Sequence, residues 1–167
     1  MKAIWVILGI VLTAGLIVGS YFLLNPGGEA KVTVTIISYK ITDKERPKVE
    51  VKGTSKDLGK MKVSDEKSAE FIIKNIGQKP LQMSRVNSSC NCTFGQVVID
   101  GKESELYGMH NVSNFAGEVL PGKTAMIKVI YRPFIMPVYG IIDREVYVET
   151  NDPENQKLIF KVKANVN

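Results

Sequence analysis

From residue 31 onward the chain reads in twos. Lys31 to Ile41 sets Val32, Val34 and Ile36 on one face and Thr33 and Thr35 on the other. The alternation returns at Val49–Val51, Asp57–Val63, Ala69–Asn75, Leu81–Val86, Gln96–Lys102, Thr124–Tyr131, Arg144–Thr150 and Lys157–Val166. Successive side chains of a strand point to opposite faces, so this period marks half-buried β-strands. Turn-formers punctuate the runs: Ser64-Asp65-Glu66-Lys67, Gly77 to Pro80, Asp100-Gly101, Pro121-Gly122 and Asn151-Asp152-Pro153. Asp100-Gly101 is a strong hairpin signal. No segment after residue 24 has a helical period. Many short strands separated by turns predict an all-β fold, an immunoglobulin-like antiparallel β-sandwich. Leu58, Met61 and Val63 are candidate core residues, and Met61, Met83, Met126 and Met136 fall in or near strand patterns that assign them to the core as well.

The first 24 residues obey a different rule. Ala3 to Leu24 is an uncharged run of 22 residues, with Lys2 the one charged side chain before it. At about 1.5 Å per helical residue the run covers about 33 Å, enough for a hydrocarbon core of about 30 Å. The apolar region of a cleaved signal peptide is shorter, about 7–15 residues, so an uncleaved transmembrane signal anchor is expected. Lys2 and the amino terminus place positive charge on the N-terminal side, which predicts a cytoplasmic N-terminus and an extracytoplasmic C-terminal domain. Trp5 and Tyr21-Phe22 suit the two interfaces. Asn25-Pro26-Gly27-Gly28 breaks the helix and reads as a short spacer. The expected layout is an anchor over 1–24, a linker with an extra N-terminal strand over 25–46, and the sandwich over 47–167.

The net charge of +5 is spread through interspersed acids and bases with no dense Lys/Arg run. Nucleic-acid binders concentrate their basic residues, so the composition points away from that class and towards a mildly basic surface. There is no H-E-x-x-H, no P-loop and no G-x-G-x-x-G. A single histidine without a G-x-S-x-G context argues against a serine hydrolase. The sequons at Asn87, Asn91 and Asn111 matter only in a host that glycosylates them.

From Pro47 to the C-terminus the order of motifs is DLGKMKV, EFIIKNIGQKPLQMSRV, SSCNCT, LPGKTAMIKVIY, VYVETNDP and a final strand. This order resembles the bacterial domain-of-unknown-function family 1573. The resemblance implies an exported Ig-like domain related to the major sperm protein and Hydin folds, with no established activity. Residues 94–117 exceed the connection expected there and look like a subset with an added hairpin bearing Gly108-Met109-His110.

Both cysteines lie in one loop, Ser88-Ser89-Cys90-Asn91-Cys92-Thr93. Their spacing excludes the inter-sheet disulfide of antibody domains, and C-x-C in a β setting is not the C-x-x-C of thioredoxins. Residues i and i+2 of an extended strand lie about 6.6 Å apart, whereas a disulfide needs Cβ atoms about 3.5–4.5 Å apart, so bridging them requires a kink. Such a bridge serves either as a loop staple or as a redox pair. A soft ion such as Cu(I) relaxes the geometry, and Met109 and His110 would complete a copper-suited set of thiolate, thioether and imidazole with Cys90 and Cys92. The leading expectation is a non-enzymatic interaction or scaffold protein of the cell envelope. The alternative is a copper-binding or thiol-redox envelope protein built on Cys90 and Cys92.

Overall fold

The computed structural model describes residues 2–24 and 35–167. The chain divides into two compact units, Met1–Val34 and Thr35–Asn167. The first contains helix α1, Lys2–Leu24. Its described side chains are exposed, and its hydroxyls bond within the helix: Thr13 Oγ1 donates to Gly9 O at 3.0 Å, and Ser20 Oγ to Ile17 O at 2.9 Å. Among the described residues no helix is long and apolar enough to cross a membrane.

The second unit is the predicted all-β sandwich. Its strands are β1 (Val49–Val51), β2 (Ser55–Met61), β3 (Lys67–Asn75), β4 (Leu81–Ser88), β5 (Thr93–Ile99), β6 (Lys102–Glu103), β7 (Gly117–Val119), β8 (Thr124–Tyr131), β9 (Gly140–Thr150) and β10 (Lys157–Val166). One sheet runs β1-β3-β8-β5-β6 and the other β2-β10-β9-β4-β7. The chain changes sheets between Val51 and Ser55, and β2 then pairs parallel with β10; all the other pairings are antiparallel. Of the strand expected over 31–41, residues 31–34 lie outside the described residues and 35–41 form no regular strand. There the Ile37 N–H donates to Gln82 Oε1 at 2.8 Å instead.

The alternation read from sequence sorts cleanly in β3, where Ala69, Phe71, Ile73 and Asn75 face inward and their neighbours outward. Phe71 and Phe160 meet across the two sheets with ring centroids 5.1 Å apart. Burying a side chain of that size contributes about 1.5–3 kcal/mol. Ile73, Leu81, Met83, Val86, Val97, Ile127, Val129, Val146 and Val148 fill the space around them. Gly95 sets how closely the sheets approach, since a Cβ there would lie 2.6 Å from Val146 Cγ1 and 2.9 Å from Val86 Cγ1. Met61 and Met83 are buried as expected, and Met126 is partly buried. Met136 is not in the core: it is 47% exposed, because β8 ends at Tyr131 and residue 136 belongs to the connection that follows.

The hairpin at Asp100-Gly101 forms as predicted, with φ of 49° and 76°. Positive φ at both central residues is what a tight hairpin turn needs to match strand twist. In β4 the register shifts between Ser84 and Asn87, and Arg85 takes φ of 47°. This bulge turns the backbone of Arg85 and Val86 towards Ser113, which accepts the Arg85 N–H at 2.9 Å through its carbonyl and the Val86 N–H at 2.9 Å through its hydroxyl.

Candidate functional site

The cysteine loop joins β4 to β5 and so links one sheet to the other. Ser88 Oγ donates to the Cys90 carbonyl at 2.9 Å, and the Thr93 N–H donates to the same carbonyl at 3.2 Å, closing a turn over residues 90–93. Ser89 fastens the loop to β9: its N–H donates to Glu145 O at 2.9 Å and its Oγ accepts the Glu145 N–H at 3.0 Å. In this turn the Cα atoms of Cys90 and Cys92 are 5.3 Å apart, and the two residues form a disulfide. The extended geometry assumed from sequence does not apply here. The turn shortens the span to within the usual disulfide range of about 4.4–6.8 Å.

The two sulfurs have different surroundings. Cys92 is completely buried, packed with Met61, Tyr131, Ile142, Ala164 and Val166 in a second small core, whereas Cys90 at its edge is partly exposed. The Cys92 N–H donates to Cys90 Sγ at 3.1 Å. Arg144 Nε–H donates to Cys92 Sγ at 3.3 Å, and its guanidinium carbon lies 5.7 Å from the centre of the Tyr131 ring. Thr93 Oγ1 is within 3.5 Å of Cys90 Sγ and 3.9 Å of Cys92 Sγ. Burial pushes the Tyr131 phenol above its ordinary pKa while the neighbouring Arg144 charge pulls the other way. The Tyr131 hydroxyl is buried and has no hydrogen-bond partner among the described residues.

The inserted segment pairs back onto the start of β5. Tyr107 bridges Gly95 with hydrogen bonds of 2.9 and 2.8 Å, and Gly108 packs so tightly that a Cβ there would lie 3.3 Å from the Phe94 ring. Met109 and His110 sit on the exposed turn beyond it. The copper set of Cys90, Cys92, Met109 and His110 is thus arranged as a bonded cysteine pair and two exposed side chains. Among the described residues no group of three or more His, Cys, Asp or Glu is placed to hold a metal ion.

Two features of this end of the sandwich were missed in the sequence. Arg144 reads as an ordinary polar position of an alternating strand, and only the pairing of β9 with β10 and β4 turns it towards Cys92. The other left a visible signal, the uncharged run Pro133-Phe134-Ile135-Met136-Pro137-Val138-Tyr139-Gly140-Ile141. It leads from β8 through a 3₁₀ turn at Pro133–Ile135 into the first two residues of β9, and leaves Phe134 49%, Met136 47%, Tyr139 70% and Ile141 68% exposed. The Arg132 N–H just before it donates to the Cys92 carbonyl at 2.8 Å, so this connection and the disulfide share one end of the fold. At the other end lie residues 35–39, where the chain enters the sandwich beside Gln82.

Fold and loop together define an immunoglobulin-like two-sheet sandwich closed at one end by a local disulfide. Residues 47–165 match the model described as HYDIN/CFA65/VesB-like, Ig-like domain, and the chain belongs to that family. None of the curated proteins matches it. Among solved structures it is similar to a protein of unknown function from Porphyromonas gingivalis W83, with 20% identity, a TM-score of 0.54, and coverage of 81% of this chain and 51% of that one. A family 123 glycoside hydrolase from Clostridium perfringens gives 13% identity and a TM-score of 0.50 over 68% of this chain and 23% of that chain. The ASH/PapD-like domain 7 of human CEP192 gives 12% identity and a TM-score of 0.44 over 85% and 98%. The chain thus spans about half the length of the first of these proteins and a smaller part of the second. At these identities the likeness is one of fold.

Proposed function

We propose that this chain is a single-pass membrane protein that holds its Ig-like domain outside the cytoplasmic membrane as a non-enzymatic interaction or scaffold module of the cell envelope. The observation that carries the interaction reading is the Pro133–Ile141 connection. Phe134, Ile135, Met136, Val138, Tyr139 and Ile141 are each 40% exposed or more within nine residues. An apolar patch of that density at the end of a sandwich, where loops cluster, marks a contact surface for another protein. The partner that suits it presents an apolar, aromatic-rich surface.

The anchor is argued from length and from the character of α1. The described residues alone fall short of a crossing, but the 23-residue helix spans about 35 Å and is uncharged from Ala3 onward. A helix that is apolar all round needs apolar surroundings, and the internal bonds of Thr13 and Ser20 satisfy hydroxyls that lipid could not. The cytoplasmic N-terminus rests on Lys2. The narrower kinship with the domain-of-unknown-function family 1573 rests on KNIGQKPL and SSCNCT and belongs to the same reading.

Site-specific photo-crosslinking in intact cells tests the proposal. A crosslinker at Tyr139 and one at Phe134 should capture the same envelope protein, and one at Glu50 on the far sheet edge should not. Absence of a common adduct at the two loop positions overturns the interaction reading. A reporter fused after Asn167 that is active only in the cytoplasm overturns the topology.

A further inference from the structure

We propose that the Cys90–Cys92 disulfide is an exchange-active bond, with Cys90 the sulfur that is attacked and Cys92 the leaving group, and that its reaction partner is a protein dithiol. Three observations converge on this assignment. Cys92 is wholly buried and Cys90 is partly exposed, so Cys90 is the half of the bond that an incoming thiolate can approach. Displacement proceeds along the S–S axis and places the developing negative charge on Cys92 Sγ. That sulfur receives a hydrogen bond from the cationic Arg144 guanidinium at 3.3 Å, whereas Cys90 Sγ receives the neutral Cys92 N–H at 3.1 Å and lies 3.5 Å from the Thr93 hydroxyl. A cation beside a sulfur lowers the pKa of its thiol, and a leaving thiolate of lower pKa departs faster. A loop staple needs neither an arginine contact on its buried sulfur nor partial exposure of its other cysteine.

The step balances as follows. A partner thiolate attacks Cys90 Sγ; a bond forms between the partner sulfur and Cys90, the Cys90–Cys92 bond breaks, and its electron pair stays on Cys92 as a thiolate facing Arg144. The partner's second thiolate then attacks the partner sulfur of the mixed disulfide and releases Cys90 as a thiolate. The partner leaves with its own disulfide, and two electrons have passed to this chain. The apolar Pro133–Ile141 connection at the same end of the sandwich supplies a surface on which a protein dithiol can dock.

Dithiothreitol serves as the probe dithiol, applied to the full-length chain in detergent micelles. The rate of disulfide reduction under native conditions is followed by alkylation and mass shift, and thermal melts of the oxidised proteins keep folding effects separate. Wild type should be reduced without denaturant. Arg144→Gln should slow that reduction about tenfold, and Arg144→Lys should recover part of the rate. The single variants supply a second measurement. The free thiol of Cys92→Ser, which is Cys90, should react with an aromatic disulfide reagent at least tenfold faster than the free Cys92 of Cys90→Ser. Reduction of the wild type only in denaturant, an unchanged rate in Arg144→Gln, or equal reactivity of the two lone cysteines each overturns the assignment. None of these outcomes touches the crosslinking result, so the two proposals fail separately.

Discussion

Asp152 and Val49 are 103 positions apart in sequence, yet the buried Asp152 carboxylate accepts the Val49 N–H at 3.0 Å. The same carboxylate accepts the Glu154 N–H and Asn155 Nδ2 at 3.0 Å each. One side chain therefore ties the β9–β10 turn to the first strand of the opposite sheet. Asp152→Ala leaves the buried Val49 N–H unpaired and frees the two part-buried donors of the turn, and should cost about 2 kcal/mol in urea unfolding. A loss below about 1 kcal/mol shows that the turn stands without it.

Gly95 predicts a coupled pair. A Cβ at residue 95 lies within 2.6 Å of Val146 Cγ1, so Gly95→Ala overpacks the space between the sheets and should destabilise by about 2 kcal/mol. Val146→Ala alone opens a cavity. Together the two changes relieve one another, and the double variant should lose less than the sum of the singles. Strict additivity in that cycle would show that the crowding is taken up elsewhere, for example by Val86.

The disulfide closes only a short loop, and its effect on stability should be correspondingly modest. Loop-closure entropy for such a bridge is about 1.5 kcal/mol, and trimming the buried Cys92 sulfur adds a small packing loss. Cys90→Ala/Cys92→Ala should unfold cooperatively with a stability lower by about 2 kcal/mol. Failure of that variant to fold makes the bridge a requirement of the domain.

Acid should weaken one surface contact in a defined window. The Glu145 carboxyl is held below its ordinary value first by a hydrogen bond from Lys161 and then by one from Tyr147. Lys161 Nζ is 3.0 Å from Glu145 Oε1, and the Tyr147 hydroxyl donates to Oε2 at 2.9 Å. A depressed carboxyl contributes stability above its unfolded value of 4.5 and loses that contribution as pH falls through its folded value. The pair lies at the surface with both side chains partly exposed, so the effect is small and screened by salt. Glu145→Gln should flatten the fall of Tm between pH 6 and pH 3 at low salt. An identical pH profile for variant and wild type removes the contact from the stability of the domain. Lys161 carries the converse shift: Glu145 raises its pKa, so its contribution is present below 10.5 and lost at higher pH.

Much of the sandwich was legible because its physics is local. Alternation assigned β3 and β8, and Asp100-Gly101 specified its turn. What escaped depends on contacts between distant residues. Asn75 and Asp152 sit in motifs that read as plain turns, KNIG and TNDP. Each is fully buried, and Asn75 Nδ2 reaches Lys79 O and Val119 O at 2.8 Å. The cysteine spacing was judged against an extended strand, and a turn held by Ser88 and Thr93 changed the distance that mattered. Arg144 could not be linked to Cys92 before the β9 register was known. The exposed Pro133–Ile141 run was visible as part of an uncharged stretch between Arg132 and Asp143, but a run that short is also what a buried strand looks like.

The parallel pairing of β2 with β10 gives the domain a direction of mechanical strength. Register runs from Lys161 opposite Ser55 to Val166 opposite Met61, so the N-terminal end of β2 and the C-terminal end of β10 lie at opposite ends of one ladder. Tension applied between the chain termini pulls these strands along their length in opposing senses. The ladder's hydrogen bonds are then loaded together in shear, instead of being unzipped one at a time. A domain tethered at one terminus and tugged at the other would resist extension most strongly at this seam, with the three-residue β1 as the first segment to give way.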